Sequence, residues 1–287
     1  MIKIIECPRD AMQGLKEFIP TETKADYINQ ILKVGFDTID FGSFVSPKAI
    51  PQMKDTAQVL GLLKLDQSIS KLSAIVANKR GAIDACQFEE ITYLGYPFSI
   101  SETFQLRNTN ATIEESLERV HDIQDLCIAN NKTLNVYISM GFGNPYGDEW
   151  NVEIVHKWVE KLVAMGIKIF SLSDTIGVSN PDNISYLFTN LIPLFPTVEF
   201  GAHLHSPPHN WKEKVAAAYL SGCRRFDAAI KGFGGCPMAK DDLTGNMATE
   251  NVLQYFDETN IELGLDRYAF NMAMRQAVAI FLSLIHI

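Results

Sequence analysis

The sequence predicts an α/β fold: a single (β/α)8 TIM barrel with a C-terminal helical extension. Three observations carry that prediction. Eight short apolar, β-rich runs recur along the chain. Amphipathic helical patterns separate them, and strands alternating with helices imply a parallel sheet. Eight such units in about 250 residues match a closed barrel in size. The alternative is an open doubly wound sheet, but no Gly-x-Gly-x-x-Gly follows the first strand or occurs elsewhere.

The elements follow in order. The first strand is IKIIE (2–6). A helix over TKADYINQILKVG (23–35) carries Tyr27, Ile28, Ile31 and Leu32 on one face and stops at Gly35. Strands DTIDFG (37–42), LSAIVA (72–77) and EITYLG (90–95) come next. The helix over TIEESLERVHDIQDLCIAN (112–130) opens on Thr112 with Glu115 three residues on, a capping-box spacing. Strand LNVYIS (134–139) leads to a helix over NVEIVHKWVEKLVAMG (151–166), which ends on glycine. Strands IKIFSLS (167–173) and VEFGAHL (198–204) precede a helix over NWKEKVAAAYLSG (210–222), and RFDAAI (225–230) is the eighth strand. The apolar tail AVAIFLSLIHI (277–287) reads as a terminal helix packed on the body, or in part as a remnant foreign to the native chain. No Ser/Gly/Pro-rich linker interrupts the pattern. One domain is therefore expected over 1–287, with the barrel at about 2–262 and the helical segment at about 263–287.

Bulk properties narrow the function classes. A net charge of −9 with no basic run disfavours a nucleic-acid or anionic-membrane surface. No run reaches the roughly 18–20 apolar residues of a membrane span. The chain starts directly on a strand, so no signal peptide is expected. Five scattered cysteines, an odd number, suggest free thiols in a reducing compartment, the cytoplasm.

Barrel chemistry sits where strands end and loops begin. Strand one is followed by Arg9, Asp10 and Gln13, and strand two by Asp40 and Ser43. Glu102 follows strand four, and Asp174 and Thr175 follow strand six. Strand seven ends in His203 and His205, and strand eight leads to Cys236 and Asn246. Residues i and i+2 of a strand face one side roughly 7 Å apart. His203 and His205 alone also fit a solvated loop or satisfied core histidines. The barrel context and Asp10 favour a divalent-metal pair, with Asn246 adding an oxygen. Cys236 could be a small buried hydrophobe. Its place after GFGG favours a reactive thiol acting as acid or base. Arg9 pairs with Asp10 or stabilises a developing enolate. Asp174 could simply close its loop. His121 and His156 fall mid-helix and read as surface or packing residues.

The blocks PRDAMQ, SFVSPKAIPQM, SLSDTIGV, HLH and GFGGCP, with TGN and ATE beyond, resemble the 3-hydroxy-3-methylglutaryl-CoA lyases. These belong to the metal-dependent lyase and synthase barrels. The resemblance runs from about residue 4 to residue 262. It implies that Asp10, His203, His205 and Asn246 hold Mg²⁺ or Mn²⁺. Gln13, Asp40, Ser43, Asp174 and Thr175 would surround the substrate. A base at the metal, Asp10 or its neighbour His203, would take the tertiary hydroxyl proton. Arg9 would stabilise the acetyl-CoA enolate, Cys236 would protonate it, and acetoacetate would leave. The substrate is then a CoA thioester, no organic cofactor is expected, and a homodimer is the family's habit.

Two departures leave the acyl group open. The family usually reads H-x-H-D, whereas here Ser206 replaces the acid, so a carboxylate behind a ligand histidine is expected to be missing. Lys240, Asp241 and Asp242 add charge near the mouth, and the region after Glu102 reads as a long loop. The substrate is hydroxymethylglutaryl-CoA or a closely related 3-hydroxyacyl-CoA. The rivals are a condensing synthase, a 2-oxo acid aldolase, and a noncatalytic metal-binding homologue.

Overall fold

The computed structural model describes residues 1–235 and 244–283. Cys236, Lys240, Asp241 and Asp242 lie outside the described residues. Among the described residues, eight parallel strands close into a barrel in sequential order. They are β1 Lys3–Glu6, β2 Thr38–Ser43, β3 Lys71–Ile75, β4 Ile91–Ser99, β5 Thr133–Ser139, β6 Ile169–Ser173, β7 Glu199–His203 and β8 Arg225–Ala228. Each expected run is a strand. The circle closes where Ile4 pairs with Phe226 and Glu6 with Ala228.

The helices are α1 Pro8–Gln13, α2 Thr21–Leu32, α3 Thr56–Leu60, α4 Lys79–Cys86, α5 Glu102–Thr109 and α6 Ile113–Ala129. They continue with α7 Val152–Ala164, α8 Pro181–Leu194, α9 Trp211–Leu220, α10 Thr249–Glu258 and α11 Arg267–Ser283. The four helices expected from periodicity are α2, α6, α7 and α9. The stretch after Glu102 is helix α5 rather than a loop. Its first turn is held by Asp148, which accepts from the Thr103 N–H at 3.0 Å and hydroxyl at 2.9 Å. That partner is far along the chain, so local pattern does not report it.

Alternation along the strands builds two different layers. One face of each strand is apolar and meets the helices. Phe170 and Phe200 stack there at 5.7 Å, and Phe226 meets Phe256 of α10 at 5.4 Å. The opposite face fills the barrel and is polar. Asn135 donates to the Ser171 hydroxyl at 3.2 Å, which donates to Asp227 at 3.0 Å. Arg225 lies 3.2 Å from Glu199 and 3.9 Å from Asp227. Gly201 is what admits it, because a Cβ there would sit 2.9 Å from the Arg225 side chain. Apolar filling of the usual kind, such as Ile75, shares the interior with a hydrogen-bonded column that leads up to His203.

The C-terminal helical extension is α11. It packs on α2 through Tyr27 and Phe281, 6.1 Å apart, and on the segment after β8 through Phe233 and Phe281, 4.5 Å apart. No helix among the described residues is long and apolar enough to cross a membrane.

The capping box of α6 is present. Thr112 Oγ1 accepts from the Glu115 N–H at 3.1 Å, and Glu115 accepts from the Thr112 N–H at 2.8 Å. Thr112→Ala removes the first bond, and we expect a loss of about 1 kcal/mol in urea unfolding. An unchanged midpoint would show that tertiary packing alone fixes this helix start.

Candidate active site

The site grows from the end of β1. Pro8 at the first helical position suits helix initiation, because its missing N–H is not needed there. Asp10 falls in the first turn, where the helix dipole favours an anion. Arg9, Asp10 and Gln13 therefore sit on α1 rather than on the strand itself. Arg9 Nη1 donates to Asp10 at 2.9 Å, and Gln13 Nε2 donates to the same oxygen at 2.5 Å. Arg9 also reaches Asp40 of β2, its Nε lying 3.0 Å from Oδ2. Asp40 is fully buried.

His203 ends β7, and His205 lies just past it. His205 pairs antiparallel with Asn246. The neighbouring bonds are Met247 N–H to Leu204 O at 2.9 Å and Ser206 N–H to Gly245 O at 3.1 Å. This pairing brings Asn246 to the cluster, where its side chain donates to Phe233 O at 2.9 Å and lies near enough to Asp10 to favour its ionised form. Donor atoms of Asp10, His203 and His205 lie within 4.8 Å of one another. The His205 Nδ1 is buried with no hydrogen-bond partner. An orphaned ring nitrogen beside a second imidazole and a carboxylate is a donor set that fits a divalent metal with open positions.

The electrostatics follow from burial and near neighbours. Burial works against the Arg9 charge, but Asp40 and Asp10 outweigh it and raise its pKa. Burial would raise Asp10, but Arg9, His203, His205 and the nearby Asn246 side chain hold it below the usual carboxylate range. For Asp40 burial wins over Arg9 and the shift is upward. Burial and the nearby His203 push His205 down to about 4, the neutral form a ligand needs. His203 is raised despite burial, because Asp227 faces its Nδ1 at 3.2 Å.

Asp227 corrects an expectation. Ser206 does stand where an acid was anticipated, and its hydroxyl turns away to Pro207 O and Asn210 Oδ1 at 2.9 and 2.8 Å. A carboxylate behind the candidate ligand His203 nevertheless exists, supplied by β8 as Asp227. The charged alternation Arg225-x-Asp227 inside a strand was the available signal, since such residues must point into the barrel. Tyr137 was also missed: its ring meets His203 edge-on at 5.4 Å.

The open mouth above the cluster is walled by Gln13, Thr175 and Tyr137, with Ile50, Ile75 and Phe104 on an apolar side. Three of the expected substrate residues do not line this cavity. Asp40 lies beneath Arg9. Ser43 is buried, and its hydroxyl accepts from the Val45 N–H at 3.2 Å. Asp174 is buried, and its Oδ2 accepts from the Ser179 N–H at 3.0 Å and from Lys214 at 3.1 Å. Glu102 is spent on α6, accepting from the Ile113 N–H at 3.1 Å.

The glycines after β8 have a packing reason. Gly234 has φ +87°, and a Cβ on it would lie 2.4 Å from the carbonyl oxygen of Asp10. Gly234→Ala should cost about 2 kcal/mol or more through strain and overpacking. It should also displace α1. Chemical denaturation checks the first, and a wild-type midpoint would refute the close approach.

The HMGL-like family profile matches residues 2–277 of this chain. Hydroxymethylglutaryl-CoA lyase YngG of Bacillus subtilis is 32% identical, over 89% of this chain and 84% of that protein. A 3-hydroxy-3-isohexenylglutaryl-CoA/hydroxymethylglutaryl-CoA lyase of Pseudomonas aeruginosa is 30% identical, over 97% of this chain and 92% of that one. The solved HMG-CoA lyase of Acinetobacter baumannii, in complex with coenzyme A and 3-methylmalate, superposes with a TM-score of 0.90 at 30% identity, covering 97% of this chain and 90% of that one. With the barrel, the donor cluster and these matches together, the chain belongs to the hydroxymethylglutaryl-CoA lyase family of carbon–carbon lyases.

Proposed function

We propose that this protein cleaves 3-hydroxy-3-methylglutaryl-CoA, or a closely related 3-hydroxyacyl-CoA, into acetyl-CoA and acetoacetate or its analogue. The observation that carries the reading is the buried Asp10–His203–His205 cluster with Arg9 bonded to its carboxylate at the barrel mouth. A divalent ion, Mg²⁺ or Mn²⁺, bound by Asp10, His203, His205 and Asn246 supplies Lewis acidity toward the substrate's tertiary hydroxyl.

The chain's own groups do the rest. The hydroxyl proton leaves to a base at the cluster, for which Asp10 and His203 are the candidates. As the C2–C3 bond breaks, its electron pair moves onto the thioester side and forms an enolate, while C3 becomes a ketone. Arg9 is the cation suited to that enolate, since Asp40 and Asp10 fix its guanidinium before substrate arrives. Cys236 is assigned the proton that returns to carbon. That assignment rests on the sequence resemblance, because Cys236 lies outside the described residues. Gln13 and Thr175 stand at the mouth to orient the acyl group.

The apolar wall of Ile50, Ile75 and Phe104 favours a carbon branch at C3 over a polar one. The Pseudomonas relative is named for two acyl groups that differ in that branch. We place the protein in the cytoplasm, a reading supported by the free thiols of Cys7, Cys86, Cys127 and Cys223.

The test is turnover of hydroxymethylglutaryl-CoA with Mg²⁺ and a reducing agent, followed as acetoacetate. EDTA should abolish it, and Arg9→Met should cut kcat by about 100-fold or more. Metal-independent turnover would remove the donor cluster from the reaction. Binding of metal without any acetoacetate would shift the substrate to another acyl-CoA or a 2-oxo acid. Separately, Asp227→Asn should weaken Mn²⁺ binding by about 10–100-fold in calorimetric titration. Unchanged affinity would reduce Asp227 to a filler of the barrel.

A further inference from the structure

Lys214, on α9, is a buried lysine that the chemistry above does not use. Its side chain is 1% exposed. Its ammonium makes three bonds: to His205 O at 2.9 Å, to Asp174 Oδ2 at 3.1 Å and to Gly177 O at 3.3 Å. Those acceptors come from two different loops, the ones after β6 and β7. An ammonium has three N–H donors, and all three are spent here.

We propose that Lys214 is a positioning residue for the donor cluster: its ammonium ties the main chain of His205 to the Asp174–Gly177 turn, and so sets where the His205 imidazole stands relative to Asp10 and His203. The argument is one of constraint. The segment around His205 is held on one side by the strand-like bonds of Leu204 and Ser206 to the segment after β8. The His205 carbonyl takes its bond from Lys214, on the α9 side. Pro207 and Pro208 follow at once, and neither has an N–H that could substitute. The Ser206 hydroxyl is committed to its own turn. The Asp174 turn already meets β7 through the Asp174 N–H to His203 O bond at 2.9 Å; among the described residues no backbone bond reaches the His205 carbonyl itself, and Lys214 anchors it there.

The Asp174 pairing supports a positional role over a stabilising one. A buried ion pair is often no more stable than an apolar pair of the same volume. Placing one between two loops at a ligand cluster makes sense where registry is the gain. Asp174 then acts through Lys214, which is consistent with its absence from the cavity wall.

This inference rests on the reading that Asp10, His203 and His205 hold a divalent metal, so the experiment separates the two. Mn²⁺ is titrated into wild-type protein, Lys214→Met and the double variant Lys214→Met/Asp174→Asn. Affinity is read by electron paramagnetic resonance, and coordinated histidine nitrogen by spin-echo modulation. The double variant leaves no buried charge orphaned, so it keeps the fold, which a thermal scan of the metal-free protein checks. We expect it to lose about 10-fold or more in Mn²⁺ affinity and to show weaker nitrogen modulation, at a wild-type-like Tm. Wild-type affinity and modulation in the double variant would overturn the positioning role. No Mn²⁺ binding by wild-type protein would overturn the metal reading, and this inference with it.

Discussion

Everything at the barrel mouth depends on how buried carboxylates are balanced. Asp10, Asp40 and Asp227 are all removed from water inside one barrel. Left unpaired, each would protonate or unfold its surroundings. Arg9 meets two of them at once, and His203 and Arg225 flank the third. This balance dictates geometry. Arg9 can serve Asp10 and Asp40 together only if α1 starts immediately after β1, as Pro8 ensures. The same short helix then presents Asp10 to the two histidines. On the proposed reaction, the same fixed guanidinium would meet the enolate without reorganisation when charge develops.

The polar barrel interior carries the balance downward. Asp227 orients His203 from below, and Ser171, Asn135 and Arg225 hold Asp227 or its neighbours. Such a column contributes little hydrophobic stabilisation. That falls to the apolar layer between strands and helices, where Phe170, Phe200, Phe226 and Phe256 pack. Fold strength and site chemistry thus occupy opposite faces of the same strands. A change to Leu172 or Ala202, on the outer face, and one to Ser171 or His203, on the inner face, would have effects of different kinds.

That division also explains what the sequence made legible. The strands were readable because their outward residues are apolar and their ends carry turn signals. The α6 capping box was readable because its partners, Thr112 and Glu115, are three residues apart. His203, His205 and Asp10 could be grouped once a barrel was assumed, since closure puts β7 and β1 two strands apart. Asp227 is a charge within a strand, which a closed barrel forces inward, but no local pattern pairs it with His203. Lys214 is a helical lysine like any other in sequence, and only the approach of two loops buries it. Asp174 is readable as a loop-end carboxylate, but the commitment of its Oδ2 to Lys214 and the Ser179 N–H is visible only in the fold. The start of α5 has a local signal in Ser101, whose hydroxyl accepts from the Phe104 N–H at 3.2 Å, but its tie to Asp148 is too distant for any local pattern.

Glu6 ties the segment that bears Asn246 to this arrangement. Glu6, at the end of β1, is fully buried. Its carboxyl accepts from the Ile230 N–H at 2.8 Å and from the Thr249 hydroxyl at 2.6 Å. Those residues flank, on its two sides, the segment that carries Asn246. Burial pushes the Glu6 pKa up to about 8, against the pull of both bonds. One stretch, IIECPRD, therefore reaches both sides of the cluster: Glu6 bonds the two ends of the segment that bears Asn246, and α1 delivers Asp10. Gly234 lets the two halves touch, its α-carbon closing on the Asp10 carbonyl where a side chain would not fit. Asn246 is thus placed by its pairing with His205, within a segment whose two ends are bonded to β1. A substitution at Glu6 would act on the cluster from the opposite end of the sequence.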